Sequence, residues 1–210
     1  MPEKSPTRDR LLAAAIELMR TEGESALTTQ RLASAVGIVQ SGFYRHFRNA
    51  EDCLNRAAEA TAQALREAIA KNRIQNKLAD EDDAAALQSH IETVFDLCRR
   101  NWNFVELTLA YRHQKTQFGR VLAKAWRDME QDVAEHFEGV FARLGVKVDS
   151  SQLQRIAISI QAIIVRVGER ERNQSADARR AAAMEVTRMV WSIVESACTN
   201  AAKPDRTRDS

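Results

Sequence analysis

Apolar residues recur every three or four positions along most of the chain. Leu12, Ile16 and Met19 fall on one face of a first helix, flanked by Leu11, Ala15 and Leu18. The pattern breaks at Glu22 and Gly23, a glycine suited to a C-terminal cap. It restarts at Thr28 and Thr29, where a threonine oxygen can cap the free backbone donors of a short helix carrying Leu32, Ala33 and Val36. Gly37 ends that helix, and a third short element follows before a long periodic stretch over about 49–71. Residues 72–83 are polar and close in Asp80, Glu81, Asp82 and Asp83, so they read as a linker whose acids suit the start of the next helix. Helices are then predicted over about 84–101, through 107–113 and over about 118–144, the last closed by Gly145. Ser150 or Ser151 is placed to cap the next, whose stripe is Ile156, Ile160, Ile163, Ile164 and Val167. The final helix carries Val186, Val190, Ile193, Val194 and Ala197 at the same offsets, a match of helical geometry and not a duplication.

Composition sharpens this picture. The three prolines, Pro2, Pro6 and Pro204, lie near the ends, and seven glycines serve 210 residues. Sandwiches and α/β folds need more turn chemistry, so the expected class is all-α: an N-terminal three-helix domain over 1–50, a larger helical domain over 51–203 and a loose tail over 204–210. No apolar run is long enough for a membrane span, and the first ten residues lack the apolar centre of a secretory signal. A soluble, cytoplasmic protein without a membrane partner is expected. Cys53, Cys98 and Cys198 are odd in number and widely spaced, which suits reduced thiols and neither a disulfide framework nor a metal site. The chain has no GxGxxG, phosphate-loop or HExxH string, and no histidine follows a glutamate by three positions. No catalytic residue, metal or cofactor is expected.

Charge singles out the first domain. Residues 1–50 hold seven basic and five acidic residues, so the whole net charge of +2 resides there, and 25–50 contain no acid. Arg31, Arg45, Arg48 and His46 are expected to stand unopposed, as a surface facing DNA phosphates requires. Two short helices joined by a turn at Gly37 make a helix-turn-helix, whose second helix can enter a major groove. An alanine-rich first helix ending at Gly23, Thr28 and Thr29, Leu32 and Ala33, Gly37, then Gly42, Tyr44, His46 and Phe47 in order, covers residues 8–56. This stretch resembles the DNA-binding domain of TetR-family transcriptional regulators. The string Phe43, Tyr44, Arg45, His46, Phe47 is similar to the subgroup that represses unsaturated fatty-acid synthesis.

The resemblance implies a recognition helix over 39–47. It places Thr29 and Gln30 at the start of the second helix, the Thr29 hydroxyl and nearby backbone amides facing a phosphate, Gln40 and Ser41 on base edges, Gly42 where the backbone nears the groove, and Tyr44, His46, Arg45 and Arg48 along the DNA backbone. Val39 stands where the family often has serine and Ala50 where it often has lysine, so a cap and a phosphate contact are lost, the latter open to replacement by Arg48. Phe43 and Phe47 are expected in the core.

Eight of the twelve aromatic residues lie between Phe95 and Phe141. A pocket for a hydrophobic effector and a plain helical core would both look this way. The effector candidates are Phe95, Cys98, Trp102, Phe104, Tyr111, Trp126, Met129 and Ile164, with Arg112, His113 or an indole nitrogen holding a polar group. By resemblance, a small molecule here shifts the spacing of two DNA-reading domains; an apolar ligand such as an acyl chain is expected. The stripes of the last two helices, Ile156, Ile160, Ile163, Val167, Val186, Val190, Ile193, Val194 and Ala197, suit either internal packing or, as the resemblance implies, a two-fold dimer. A homodimer predicts a pseudo-palindromic operator in double-stranded DNA, and the resemblance implies repression more often than activation. The alternatives are a helical adaptor using the same domain for protein contacts and a small all-α enzyme.

Overall fold

The computed structural model describes residues 6–75 and 83–201. Their helices are α1 (Pro6–Glu22), α2 (Thr29–Val36), α3 (Gln40–Phe43), α4 (Ala50–Gln75), α5 (Asp83–Arg100), α6 (Trp102–Tyr111), α7 (Gln117–Arg143), α8 (Ser150–Glu171) and α9 (Ala176–Ala201), with a 3-10 turn at Glu24–Ala26. No strand occurs among the described residues, as the all-α reading requires. The expected linker is shorter than its polarity suggested: residues 72–75 continue α4, and 76–82, like the 204–210 tail, lie outside the described residues.

The chain divides into two compact units, Met1–Arg66 with Asn101–Trp126, and Glu67–Arg100 with Arg127–Ser210. The boundary drawn after residue 50 coincides with the start of α4, but the first unit also takes in the beginning of α4, all of α6 and the beginning of α7.

In the first unit, Leu11, Ala15, Ile16 and Met19 of α1 share a core with Leu32, Ala33 and Val36 of α2 and with Phe43 and Phe47. Thr28 caps α2 by accepting from the Arg31 amide at 3.2 Å. The helix ends in a left-handed turn at Gly37, φ 72°, a backbone state that a Cβ disfavours. The Gly37 amide bonds the Ser34 carbonyl and the Ile38 amide that of Ala33, closing the last turn. Arg10 of α1 donates to the Val36 carbonyl at 2.5 Å, tying the first helix to the turn. Asn49 opens α4, its side chain accepting from the Asp52 amide at 2.7 Å while Asp52 accepts from the Arg48 amide at 3.0 Å, a reciprocal cap.

In the second unit, α5, α8 and α9 pack together with the end of α7 around Leu87, Ile91, Phe95, Phe137 and Phe141. The cap of α8 is Asp149, which accepts from the Gln152 amide at 2.9 Å, and not Ser150 or Ser151; Ser151 instead donates to the Asp149 carboxylate at 2.6 Å. A carboxylate one residue earlier outcompetes a hydroxyl because it also complements the helix dipole.

The stripes read as a possible dimer surface are largely the core of this unit. Ile156, Ile160, Val186, Val190, Val194 and Ala197 are buried within a single chain, and Ile163, Val167 and Ile193 pack half-buried against them. Three helices around one core bury the same stripe that an interface would, so periodicity alone could not separate the two. The large apolar side chains left in water on these helices are Ile158, Met184 and Met189.

Candidate nucleic-acid interface

The face built by α2, the Gly37 turn and α3 rests on two buried aromatic rings. Phe43 and Phe47, four residues apart, lie in the core with ring centroids 5.8 Å from each other, as their spacing predicted. With those side chains turned inward, Val39, Gln40, Ser41, Tyr44 and Arg45 point to solvent, while Gly42 and His46 are half-buried. The recognition helix is shorter than 39–47: α-helix covers only Gln40–Phe43, and residues 44–46 continue as a turn in which the His46 amide bonds the Phe43 carbonyl at 2.9 Å. Val39 is its N-cap and makes no side-chain capping bond, the loss its departure from serine implied. A Cβ on Gly42 would meet Ile38 and Val39 only at ordinary contact distances of 3.7–4.0 Å, so the fold itself does not require glycine there.

Polar groups on this face are linked across the motif. Gln40 Nε2 donates to Thr29 Oγ1 at 2.9 Å, and the Tyr44 hydroxyl lies 3.5 Å from the same oxygen. Tyr44 is held edge-on against Phe43, centroids 5.7 Å apart and planes at 89°. Gln30 beside them is exposed.

The cations are less uniform than the acid-free run suggested. Arg31 pairs with Glu22 at 2.5 Å, and Arg48 with Asp52 at 3.3 Å, so neither stands unopposed. Both acids lie just outside the 25–50 segment, and the fold brings them back to it. Arg45 makes no ion pair among the described residues. Burial works to raise the Asp52 carboxyl, but hydrogen bonds from the Arg48 amide and from the Arg56 and Arg48 side chains outweigh it and hold it below the usual carboxylate range. Sequence reading missed Arg8, whose guanidinium lies over the Phe47 ring at 5.5 Å.

The eight effector candidates are divided between the units: Trp102, Phe104, Tyr111 and Trp126 fall in the first, and Phe95, Cys98, Met129 and Ile164 in the second. Phe104 belongs to the first unit's core. Arg112, read as a possible ligand for a polar group, stacks on Trp126 at 4.5 Å and donates to the Leu109 carbonyl at 3.0 Å. Tyr111 contacts the Phe118 ring and lines a cavity of about 220 Å³ with Met19, Leu27, Leu54 and Phe118. In the second unit a smaller cavity of about 40 Å³ lies between Leu87, His136, Phe137, Val140, Trp191 and Val194.

Polar groups buried in this unit gave no sequence signal. Gln161 on α8 is 6% exposed with neither amide atom hydrogen-bonded, and the buried Trp191 Nε1 is likewise unpartnered. His90 and His136 have ring centroids 6.4 Å apart, and His90 Nδ1 lies 2.7 Å from Asn72 Oδ1. Burial, then the neighbouring positive charge of His136 and Arg73, lowers His90 to about 4; burial and Arg73 bring His136 to about 4 as well. Both rings are neutral at pH 7. Cys53 and Cys98 are buried free thiols, which desolvation pushes up to about 12 and about 11, so they resist reaction as thiolates at neutral pH.

These elements define an all-α helix-turn-helix protein with a second helical unit. Residues 11–57 match the family model described as bacterial regulatory proteins, tetR family. Over 76 residues the chain is 33% identical to the tetracycline repressor protein class C of Escherichia coli, covering 36% of this chain and 32% of that protein. Over 104 residues it is 28% identical to the nucleoid occlusion factor SlmA of Haemophilus ducreyi, covering 48% and 50%. The matched stretches thus span from a third to half of these curated relatives. The fold extends further: the fatty acid degradation regulator FadR of Bacillus halodurans superposes over 90% of this chain and 96% of its own, with a TM-score of 0.69 at 16% identity. A transcriptional regulator of Rhodococcus sp. RHA1 covers 88% and 96%, with a TM-score of 0.65 at 12% identity. Residues 11–57 thus carry the segment that the tetR family model describes, and the fold of these regulators extends over about nine-tenths of the chain.

Proposed function

We propose that the protein is a cytoplasmic DNA-binding transcriptional repressor, acting as a homodimer on a pseudo-palindromic operator and released from it by a small hydrophobic effector. The observation that carries this reading is the outward face of α2 and α3. There an exposed amide, two hydroxyls and Arg45 stand on a rigid aromatic base. Hydroxyls and helix-terminal amides suit phosphate oxygens, and the amide of Gln40 suits an adenine edge. In the second unit, Phe95, Cys98, Met129 and Ile164 supply apolar surface, and the unpartnered amide of Gln161 is suited to hold an effector's carbonyl or hydroxyl. The neighbour named a fatty acid degradation regulator favours an acyl chain as the effector class.

The test is selection of bound duplexes from a random DNA pool, followed by titration of the winners against salt. An inverted repeat, bound with an affinity that falls steeply as salt rises, is the expected result. A folded protein that enriches no sequence, even after extraction of lipophilic ligands, would overturn the reading. Weak salt dependence would favour the adaptor instead.

A further inference from the structure

We infer that Thr29 is a positioning residue for base recognition. It orients Gln40 toward adenine and couples that choice to the grip on one phosphate. This rests on the DNA-binding reading above and adds to it a specific division of hydrogen bonds.

Thr29 opens α2 and Gln40 opens α3, eleven residues apart, yet Gln40 Nε2 donates to Thr29 Oγ1 at 2.9 Å. A carboxamide nitrogen carries two hydrogens and its oxygen accepts. In the arrangement inferred, the hydrogen lying away from Oε1 goes to Thr29. The hydrogen beside Oε1 and Oε1 itself then form the donor and acceptor pair that matches N7 and N6 of adenine in the major groove. An exposed glutamine otherwise samples many rotamers and loses that freedom on binding. The bond to Thr29 selects among those rotamers before DNA arrives.

The threonine hydroxyl can serve both sides because it accepts and donates separately. Its lone pair receives the Gln40 amide, and its single hydrogen remains for another acceptor. In the free chain that neighbour is the Tyr44 hydroxyl, 3.5 Å away, on a ring fixed edge-on to the buried Phe43. On DNA the hydrogen passes to a phosphate oxygen. A displaced phosphate would therefore pull on the group that reads the base, so register and sequence are checked together.

The experiment compares wild type with Thr29→Val, which keeps the shape and removes the hydroxyl, and Thr29→Ser, which restores it. Each is titrated against the selected operator and against duplexes with every half-site position changed in turn. The expected outcome is that Thr29→Val loses roughly tenfold of its preference for adenine at one position per half-site, while Thr29→Ser keeps it. In a Gln40→Ala background, Thr29→Val should leave base preference unchanged. If Thr29→Val weakens binding to all duplexes by the same factor and the adenine preference stays intact, Thr29 is a phosphate contact alone and the inference falls. If wild type itself selects no sequence, the DNA-binding reading falls first, before any variant is compared.

Discussion

Val39 leaves 73% of its surface in water at the entrance to α3, the largest exposure of any bulky apolar residue described. Its side chain neither makes a capping bond nor enters the core, so its apolar surface adds little to folding. On a face that enters a major groove, an isopropyl group finds a chemical match in the C5-methyl of thymine. Removing one buried methyl contact costs about 0.8 kcal/mol, or roughly fourfold in affinity. Scanning the operator with deoxyuridine in place of thymine should expose one such position per half-site for wild type and none for Val39→Ser; equal sensitivity in both proteins would place Val39 away from the bases. The same scale shows what sequence pattern can and cannot reveal. Phe43 and Phe47 were legible as core because burial follows spacing. The Gln40 to Thr29 bond and the Arg31 to Glu22 pair were not, since each joins residues across a turn whose geometry no periodicity encodes.

At the scale of elements, α7 holds two glycines with opposite roles. A Cβ on Gly119, in its first turn, would lie 2.3 Å from the Gln114 carbonyl oxygen and 2.9 Å from that of Tyr111. Backbone must move to admit it, so Gly119→Ala should destabilise the fold by about 1–3 kcal/mol. Gly139 sits within the helix about one turn before its C-terminal end, where a Cβ would touch only the Arg143 guanidinium at 3.8 Å. There alanine removes the entropic cost of glycine, and Gly139→Ala should stabilise by about 0.5–1 kcal/mol. Thermal denaturation of the two variants checks both signs, and a shift in the same direction for both would refute the distinction. The long helices were legible in the sequence because apolar residues recur along them at helical spacing, whereas α6 lies at Trp102–Tyr111 and not through 107–113 because its apolar residues surround the helix and mark no single face. Ends were read less well. The α8 start moved to Asp149 because capping is decided by which side chain reaches the free amides, and α3 contracted because Phe47 must turn inward while Asn49 and Asp52 begin the next helix.

For the whole molecule, the proposed homodimer needs a surface that pairs two copies. The stripe of Ile156, Ile160, Val186, Val190 and Val194 is consumed inside one chain, so a charge there acts on folding and not on association. Burying a carboxylate without a partner costs several kcal/mol, and Val190→Glu should lower the melting temperature sharply or prevent folding. Association needs apolar surface that one chain leaves uncovered. On α8 that surface is Ile158, 45% exposed, with the half-buried Val165 two turns further along the same side. A two-fold contact uses each such residue twice, so a carboxylate placed there meets its own copy or a desolvated partner surface. Ile158→Glu should therefore yield a monomer by light scattering, with helical content and melting transition retained when measured below the dissociation concentration. Its affinity for a paired operator should fall far more than its affinity for a single half-site, because the loss removes the gain from two linked contacts and leaves the reading face intact. A folded dimer surviving Ile158→Glu would move the interface to α9, where Met184 and Met189 are 44% and 47% exposed.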